Sequence, residues 1–291
     1  MQKRKRRVDM NGILLINKPI GITSRDVVNL LMKKFNIRKI GHTGTLDPFA
    51  GGLMIVTINN GTKISSYIED LDKQYIAELK LGEATSTLDL DGEVIEKKEV
   101  ILPLNKEEIS KVFSSFIGEI KQVPPMFSAI KINGEELYKK ARRGEVIERK
   151  ERDVTINNLK LLSIHKEKII FEVDCSKGTY IRTLGEDIAK KLSYPGHLTM
   201  LTRTRIGKYS LNDAKSIEDV SMNDVIQISD ALSHLPSINV SDFDEVKIKN
   251  GVKMKFSGHV LYFVKNQNGD PLAIYSRKDD GYYYCLRGLW S

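Results

Sequence analysis

The sequence predicts an α+β fold: a mixed, largely antiparallel sheet with flanking helices, followed by a small all-β unit at the carboxy-terminal end. Segments with an apolar residue at every second position, such as residues 75–81, indicate half-buried strands. Segments with apolar residues three and four positions apart, such as residues 27–35, indicate helices. The two kinds of segment follow one another without the strict strand–helix–strand alternation of a doubly wound parallel sheet.

Local signals place the elements of the larger, first part. Thr23 and Asp26 have the Thr-x-x-Asp spacing of a helix start, and Asn105 with Glu108 repeats the same kind of signal. Gly118 is typical of a helix end. Strands are predicted at residues 12–19, 53–58, 75–81 and 169–175, and helices at residues 23–35, 105–118 and 179–192.

The pattern changes near Asn239. Short strand-like pieces follow, separated by Asn-Gly-Asp and Asp-Asp-Gly turns. The pieces are residues 260–264, 272–275 and 282–286. We therefore predict two domains, residues 1–238 and residues 239–291, with a linker near Pro236.

Composition bounds the class of protein. The 291 residues are enough for one large domain and a small one, and the 41% hydrophobic and 29% charged fractions are typical of globular proteins. No apolar run approaches the roughly eighteen residues needed to span a bilayer, so no membrane association is expected. The basic residues Lys3 to Arg7 precede no apolar segment, so no secretory signal is expected. Cys175 and Cys285 make neither a disulfide framework nor a zinc site, and we expect a cytoplasmic protein.

The net charge is +8, from 46 basic and 38 acidic residues. This charge favours a polyanionic partner, because basic side chains neutralise phosphates and release counterions. Seven basic residues lie between Lys139 and Arg152, and Arg203, Arg205 and Lys208 form a second cluster. Such runs are also typical of a solvated protein face, so charge alone leaves both interpretations open.

Residues 41–53, with the sequence Gly-His-Thr-Gly-Thr-Leu-Asp-Pro-Phe-Ala-Gly-Gly-Leu, contain four glycines and one carboxylate. The glycines favour a loop with tight turns. Pro48 fixes its own φ and biases Asp47 toward extended geometry, so a stiff backbone presents the carboxylate. An Asp before Pro is also typical of an ordinary turn. A P-loop is excluded, because no Gly-Lys-Ser/Thr ends the segment.

This loop closely resembles the catalytic signature of the TruB family, the bacterial tRNA pseudouridine-55 synthases. Further segments match the family pattern in the right order and, with the loop, cover most of the first 210 residues: 17–19, 73–75, 122–131 with Gly134 and Leu137-Tyr138, and 178–184. The resemblance implies the pseudouridine synthase fold, a PUA-like carboxy-terminal RNA-binding domain, and isomerisation of uridine 55 in the T-loop of tRNA.

The resemblance also implies roles for three residues. The reaction detaches uracil from C1′ of its ribose, rotates it and rejoins it through C5, after the uridine has left the RNA stack. Asp47 would be the nucleophile or the carboxylate that starts cleavage, whether it attacks the ribose or the base. Arg182 would keep Asp47 ionised. Tyr75 would hold the uracil by stacking and serve as a base in the later proton removal.

Five more positions match the family. Tyr180 and Leu201 correspond to the uridine pocket, and His42 resembles the histidine that takes the place of the flipped base. Lys18 would shape the pocket floor, and Asp89 would help to orient Arg182. Without the resemblance, Tyr75 and Leu201 are typical core residues, His42 a turn residue and Arg182 a surface arginine.

The sequence predicts no cofactor and no metal. The Asp89-Leu-Asp91-Gly92 segment is not an EF-hand, because positions one and twelve of such a loop would be Thr87 and Lys98. No metal cluster or nucleotide-binding fingerprint is present, in agreement with the cofactor-free reaction of the family. The chain departs from the family pattern at Gly51, where a threonine is common, and at Phe127, where a tyrosine is common.

The expected partner is the T-stem-loop of tRNA, with no membrane and no protein partner required, and the expected state is a monomer. Two alternatives remain open. The chain could be a guide-dependent synthase that modifies ribosomal RNA with partner proteins. It could also be an RNA-binding or tRNA-folding module with a vestigial site, although the joint presence of Asp47, Tyr75 and Arg182 speaks against this.

Overall fold

A computed structural model of the protein describes residues 11–128, 130–132 and 134–290. The basic residues Lys3 to Arg7, and Ala129 of the 122–131 motif, lie outside the described residues. The helices are α1 Ser24–Phe35, α2 Ser65–Glu69, α3 Lys106–Ser114, α4 Leu137–Arg142, α5 Ile181–Lys191, α6 Ile228–Ala231 and α7 Asp242–Lys249, with short 3₁₀ helices at Asn59–Ile64, Leu211–Asp213 and Met222–Asp224.

The strands follow one another along the whole described chain. They are β1 Gly12–Lys18, β2 Ile40–His42, β3 Gly51–Ile58, β4 Lys73–Leu81, β5 Glu83–Thr85, β6 Val94–Lys97, β7 Gly118–Gln122, β8 Lys131–Ile132, β9 Glu135–Glu136, β10 Arg152–His165, β11 Lys168–Cys175, β12 Gly196–Ile206, β13 Tyr209–Ser210, β14 Ile226–Gln227, β15 Ser237–Asn239, β16 Leu261–Lys265, β17 Pro271–Arg277 and β18 Tyr283–Gly288.

The largest sheet has the strand order β14-β1-β3-β12-β4-β11-β10-β7, with β2 paired to β3 and β13 to β12. The β3–β12 pair is parallel, and the other pairs of this sheet are antiparallel. The predicted mixed, largely antiparallel sheet is therefore confirmed. In the parallel pair, Gly52 opposes Arg203 at φ +100°, and a Cβ there would lie 2.4 Å from the Arg203 carbonyl oxygen.

The starts of two predicted helices and the alternation of β4 form for the expected local reasons, but the predicted end at Gly118 is wrong, because α3 ends at Ser114 and Gly118 begins β7. Helix α1 begins with a capping box, in which Thr23 and Asp26 exchange side chain–backbone hydrogen bonds. Asn105 caps α3 in a similar way, by accepting from two backbone N–H groups of the first turn. Along β4, buried and half-buried residues alternate, and the buried set, Tyr75 to Leu81, packs in one core with residues of α3 and α5.

Two long strands, β10 and β12, were absent from the sequence prediction. The pairing of β10 with β11 shifts between Ile156 and Asn158 and again between Leu161 and Ser163. The pairing of β12 with β4 also shifts at two places. Each irregularity interrupts the two-residue period of the side chains, and that period is the signal by which strands are recognised in a sequence.

The carboxy-terminal unit contains a separate sheet of order β15-β16-β17-β18. The predicted strands 260–264, 272–275 and 282–286 correspond to β16, β17 and β18, while α7 adds a helix that the sequence analysis did not include. One apolar cluster joins this unit to the large sheet, with Ile13 and Leu53 on one side and Phe263 and Ile274 on the other. The two sheets therefore share one core. Each such buried side chain contributes about 1.5–3 kcal/mol to stability.

The predicted boundary between residues 238 and 239 stays a prediction. It falls within β15, whose three residues Ser237–Asn239 pair with β16. Within the described part of the chain, no helix is long and apolar enough to cross a membrane.

Candidate active site

The loop between β2 and β3 presents Asp47. Ser24, the first residue of α1, clamps the loop: its hydroxyl accepts from the Leu46 N–H at 2.8 Å and donates to the Leu46 carbonyl at 3.1 Å. The Ala50 N–H donates to the Asp47 carbonyl at 3.1 Å, which closes the turn. Leu46 and Phe49 are buried in the core, while the Asp47 side chain keeps 32% of its surface exposed. The apolar neighbours therefore anchor the loop and leave the carboxylate accessible.

Arg182, in the first turn of α5, holds the Asp47 carboxylate from behind. Its Nε lies 2.9 Å from Asp47 Oδ2, and its Nη2 donates to Asp47 Oδ1 at 3.1 Å. This two-point geometry matches the fork of a guanidinium to the plane of a carboxylate. Because the arginine side chain is only 3% exposed, the pair fixes the orientation of the carboxylate toward the open side.

The same guanidinium has three further partners. Nη1 donates to the Thr87 carbonyl at 2.8 Å and lies 3.5 Å from Asp89 Oδ2, and Nη2 donates to the Phe127 carbonyl at 2.7 Å. Asp89 is buried, and burial raises the pKa of its carboxyl group, while a Thr87 hydrogen bond and the charge of Arg182 oppose this. Arg182 is thus shared between two carboxylates and two loops.

The exposed side of Asp47 faces a cleft of about 790 Å³. Tyr75 on β4, Leu201 on β12, and Tyr180 and Arg182 at the start of α5 line the same cleft. Burial is the main cause that raises the pKa of the Tyr75 phenol, and the charge of Arg203 opposes it. Burial also raises the pKa of Tyr180, opposed chiefly by the charge of Arg152. Five of the eight predicted site residues therefore meet at one cleft.

The other three, Lys18, His42 and Asp89, are not part of the cleft lining. Lys18 is 1% exposed and donates to the carbonyls of Pro19 at 2.9 Å and Ala50 at 2.7 Å. Its burial lowers the pKa of its amino group to about 8, although the charge of Asp47 opposes this. His42 accepts from the Gly44 N–H at Nδ1, 3.3 Å away, and burial lowers the pKa of its imidazole. Asp89 lies 3.5 Å from Arg182 Nη1, and this ion pair links it to the cleft.

Arg203 is a site residue that the sequence analysis misplaced. The sequence places it in a basic cluster with Arg205 and Lys208, and both interpretations of that cluster, phosphate binding and a solvated face, require an exposed side chain. Both are wrong for Arg203, which is 2% exposed. Its Nε donates to the Leu53 carbonyl at 2.7 Å, and its Nη atoms donate to the carbonyls of Gly44 at 3.2 Å and Thr45 at 3.5 Å. Arg203 therefore holds the Asp47 loop from the sheet side.

The other two members of that cluster are also engaged within the protein. Arg205 pairs with Asp174, and Lys208 donates to the Asp230 carbonyl at 2.9 Å and to the Ser233 hydroxyl at 2.6 Å. A buried arginine on a strand can be suspected from the sequence only when the strand itself is recognised. The irregular pairing of β12 interrupts the two-residue period by which this strand would be recognised.

Gln122 belongs to a segment that matches the family, but the sequence alone assigns it no role. It is 1% exposed and its amide spans the backbone of Tyr180, accepting from the N–H at 2.8 Å and donating to the carbonyl at 3.0 Å. Tyr180 is the residue just before α5, so this contact fixes the start of the helix that carries Arg182.

We expect Arg203→Lys to lower both stability and activity. A lysine keeps the charge but cannot reach all three carbonyls, and each buried group left without a partner costs about 1–3 kcal/mol. The Asp47 loop would loosen, and a misplaced reactive group lowers the rate on the order of 100-fold. Thermal unfolding and single-turnover rates measure the two effects. Arg205→Lys, at a partly exposed ion pair, is the matched control. An unchanged rate in Arg203→Lys would show that the loop holds its geometry without this arginine.

Among the described residues, no group of three or more His, Cys, Asp or Glu side chains could hold a metal ion. Besides the side chains already described, further charged residues line the cleft: Glu69, Asp70, Lys73, Arg152, Asp153 and Lys177.

Comparison with known proteins gives consistent matches. A family model described as TruB family pseudouridylate synthase (N terminal domain) matches residues 32–181. A protein of Alkaliphilus oremlandii named tRNA pseudouridine synthase B is 44% identical over 275 residues, which cover 93% of this chain and 91% of that protein. A protein of the same name from Mesoplasma florum is 38% identical over 283 residues, covering 97% and 99% of the two chains.

Solved structures resemble the fold. A chain from the structure of an H/ACA RNP bound to a substrate RNA containing 2′-deoxyuridine superposes with a TM-score of 0.74 at 19% identity, covering 98% of this chain and 86% of the other. A chain from a Cbf5-Nop10-Gar1 complex gives a TM-score of 0.72 at 23% identity, with coverages of 94% and 81%. At these identities the likeness concerns the fold alone, and it extends over both sheets.

Proposed function

We propose a function from one premise: the chain belongs to the TruB family of pseudouridylate synthases. The reaction is the isomerisation of a uridine in tRNA to pseudouridine, and the proposed substrate position is uridine 55 in the T-loop. The observation that carries the assignment to this cleft is the two-point pair of Asp47 with the buried Arg182, at 2.9 and 3.1 Å, beside the ring of Tyr75.

Asp47 is the proposed catalytic carboxylate. A base stacked in folded RNA cannot reach an oxygen at the wall of a cleft, so the uridine has to leave its stack. The Arg182 charge stabilises the ionised form of Asp47 and fixes the plane of its two oxygens. The remaining lone pairs are then available to the nucleoside, either at C1′ of the ribose or at the base. The geometry is compatible with both points of attack.

Tyr75 and Leu201 are the proposed walls of the base pocket. An aromatic ring holds a base by stacking, without hydrogen bonds that would have to break when the detached uracil rotates. After the new bond to C5 has formed, the proton on C5 has to leave. Asp47 and Tyr75 both line the cleft and are the proposed acceptors. Tyr75 can accept the proton only as a phenolate, and burial raises the pKa of its phenol, so the ionised Asp47 carboxylate is the better base.

The remaining assignments belong to the same proposal. Tyr180 would contact the nucleoside, while Lys18, His42 and Asp89 would support the loops around it. Residues 1–238 would form the catalytic domain and residues 239–291 the RNA-binding domain. The protein would act as a monomer in the cytoplasm, without a protein partner and without a cofactor.

Activity on a bare RNA tests the function. We expect the purified chain to convert one uridine of a T-stem-loop RNA, detected by chemical labelling of pseudouridine, and its affinity to fall steeply with added salt. A guide-dependent synthase would need partner proteins and a guide RNA, so conversion by the chain alone excludes that alternative. Binding without conversion would instead indicate a tRNA-folding module. An affinity that does not change with salt would show that basic side chains contribute little to RNA binding.

A further inference from the structure

Five basic side chains line the cleft, and four of them are already bonded within the protein. Arg182 pairs with Asp47, and Arg203 donates to loop carbonyls. Lys73 donates to the carbonyls of Glu69 and Leu71, and Lys177 pairs with Asp70 at 2.6 Å. The fifth, Arg152, has neither a hydrogen bond from its guanidinium nor a carboxylate within 4.0 Å among the described residues. Its five N–H donors are therefore available to a ligand.

Arg152 is nevertheless held in a defined place. It is the first residue of β10 and pairs with Gln122 of β7, the same residue whose amide clamps the backbone of Tyr180. Directly paired residues of antiparallel strands present their side chains on the same face. The guanidinium carbon accordingly lies 5.8 Å from the centre of the Tyr180 ring.

The turn before α5 lies next to this guanidinium. Gly178 adopts φ +80°, and a Cβ at this position would lie 3.6 Å from Arg152 Nη1. The turn therefore passes close to the arginine at a residue without a side chain. Arg152 itself is half-buried, so one side of it rests on protein and the other faces the cleft.

We propose that Arg152 binds a phosphodiester group that flanks the uridine in the cleft, an inference that rests on the proposed function. An unpaired guanidinium presents parallel N–H donors that match two phosphate oxygens, and an RNA backbone brings such a group on each side of every nucleoside. The cation–π contact with the Tyr180 ring positions the guanidinium before the RNA arrives. The arginine acts on binding and on the position of the nucleoside, not on the bond that breaks.

The proposed contact between Arg152 and a phosphate is tested by removing the charge of each partner separately. In wild-type protein, a T-stem-loop with a neutral methylphosphonate at the 5′ or the 3′ phosphate of the target uridine should bind about tenfold more weakly at one of the two positions. Arg152→Gln should bind the unmodified RNA about tenfold more weakly, and the methylphosphonate should then have no further effect. The slope of log affinity against log salt should also fall by about one.

The controls separate this contact from general electrostatics and from folding. Lys160→Gln removes an exposed charge from the same strand, about 26 Å along it at 3.3 Å per residue, and should keep the affinity and the methylphosphonate effect unchanged. Arg152→Lys should restore part of the affinity if charge matters, and thermal unfolding of each variant checks that the fold is intact.

Two outcomes would overturn the proposal. In one, Arg152→Gln binds the unmodified RNA as wild type does; in the other, both methylphosphonates weaken the variant as much as the wild type. Either result leaves the proposed function standing, provided that wild-type protein converts the uridine. A wild-type protein that binds the RNA but forms no pseudouridine contradicts the proposed function instead, and the affinity data on Arg152 can still be read.

Discussion

Replacing Asp47 by asparagine is expected to lower the rate of pseudouridine formation by on the order of 10⁴-fold or more, as loss of a catalytic group that acts directly on the substrate does. Asparagine has almost the same shape, but it cannot carry the negative charge that Arg182 stabilises. The 32% of the side chain that is exposed faces the cleft and is not needed for the core. RNA affinity is therefore expected to stay within about threefold, as a charge at the cleft wall contributes little to backbone binding.

Single-turnover conversion of a T-stem-loop RNA and equilibrium binding of the same RNA measure the two quantities separately. Asp213→Asn, at an exposed residue in a 3₁₀ helix, is a matched control that removes one surface carboxylate. Conversion by Asp47→Asn at the wild-type rate would show that another group performs the chemistry. A joint loss of binding and conversion would assign Asp47 to the structure of the loop rather than to the reaction.

Replacing Arg182 by methionine is expected to destabilise the fold as well as to stop the reaction. Removal of one partner from a buried ion pair costs about 3–5 kcal/mol, since the other charge stays behind without compensation. Here the buried Asp89 carboxylate lies 3.5 Å from the guanidinium, and the Thr87 and Phe127 carbonyls also lose their donors. Urea unfolding monitored by circular dichroism gives the change in the free energy of unfolding.

The second carboxylate supplies a test of the mechanism behind this loss. If the cost arises from the unpaired charge, Arg182→Met combined with Asp89→Asn should be less destabilised than the sum of the two single variants. Additive losses would mean that Arg182 acts through its packing and its bonds to carbonyls alone. Arg182→Lys keeps a charge without the fork geometry, so it should recover part of the stability and little of the activity.

The sequence predicted well those elements that depend on interactions between residues close together in the chain. The Thr23–Asp26 capping box, the alternation along β4 and the turn at Asp47 each depend on residues within a few positions of one another. The resemblance to a known family then brought forward Asp47, Tyr75, Tyr180, Arg182 and Leu201, which share one cleft in the structure. Their roles in the reaction remain proposals.

The sequence could not predict which basic side chains are bonded within the folded protein and which remain available. Arg152 and Arg203 both lie in basic runs of the sequence. Arg203 is bonded to three backbone carbonyls, whereas the Arg152 guanidinium has no hydrogen bond within the described part of the chain. This difference depends on which strands become neighbours, and the bulges of β10 and β12 hide both strands from a search for periodicity. Contacts between residues more than a hundred positions apart, such as Arg203 with Leu53, leave no local trace.

The position of β12 in the large sheet bears on how the protein is made. This strand of 11 residues lies between β3, which follows the Asp47 loop, and β4, which carries Tyr75. During synthesis, both of those strands leave the ribosome long before their common neighbour does. A nascent chain that stops short of Gly196 lacks the strand that brings the two sides together, and such distant pairings form slowly. We therefore expect chains that end before β12 to form no complete cleft, because the strand between β3 and β4 is missing.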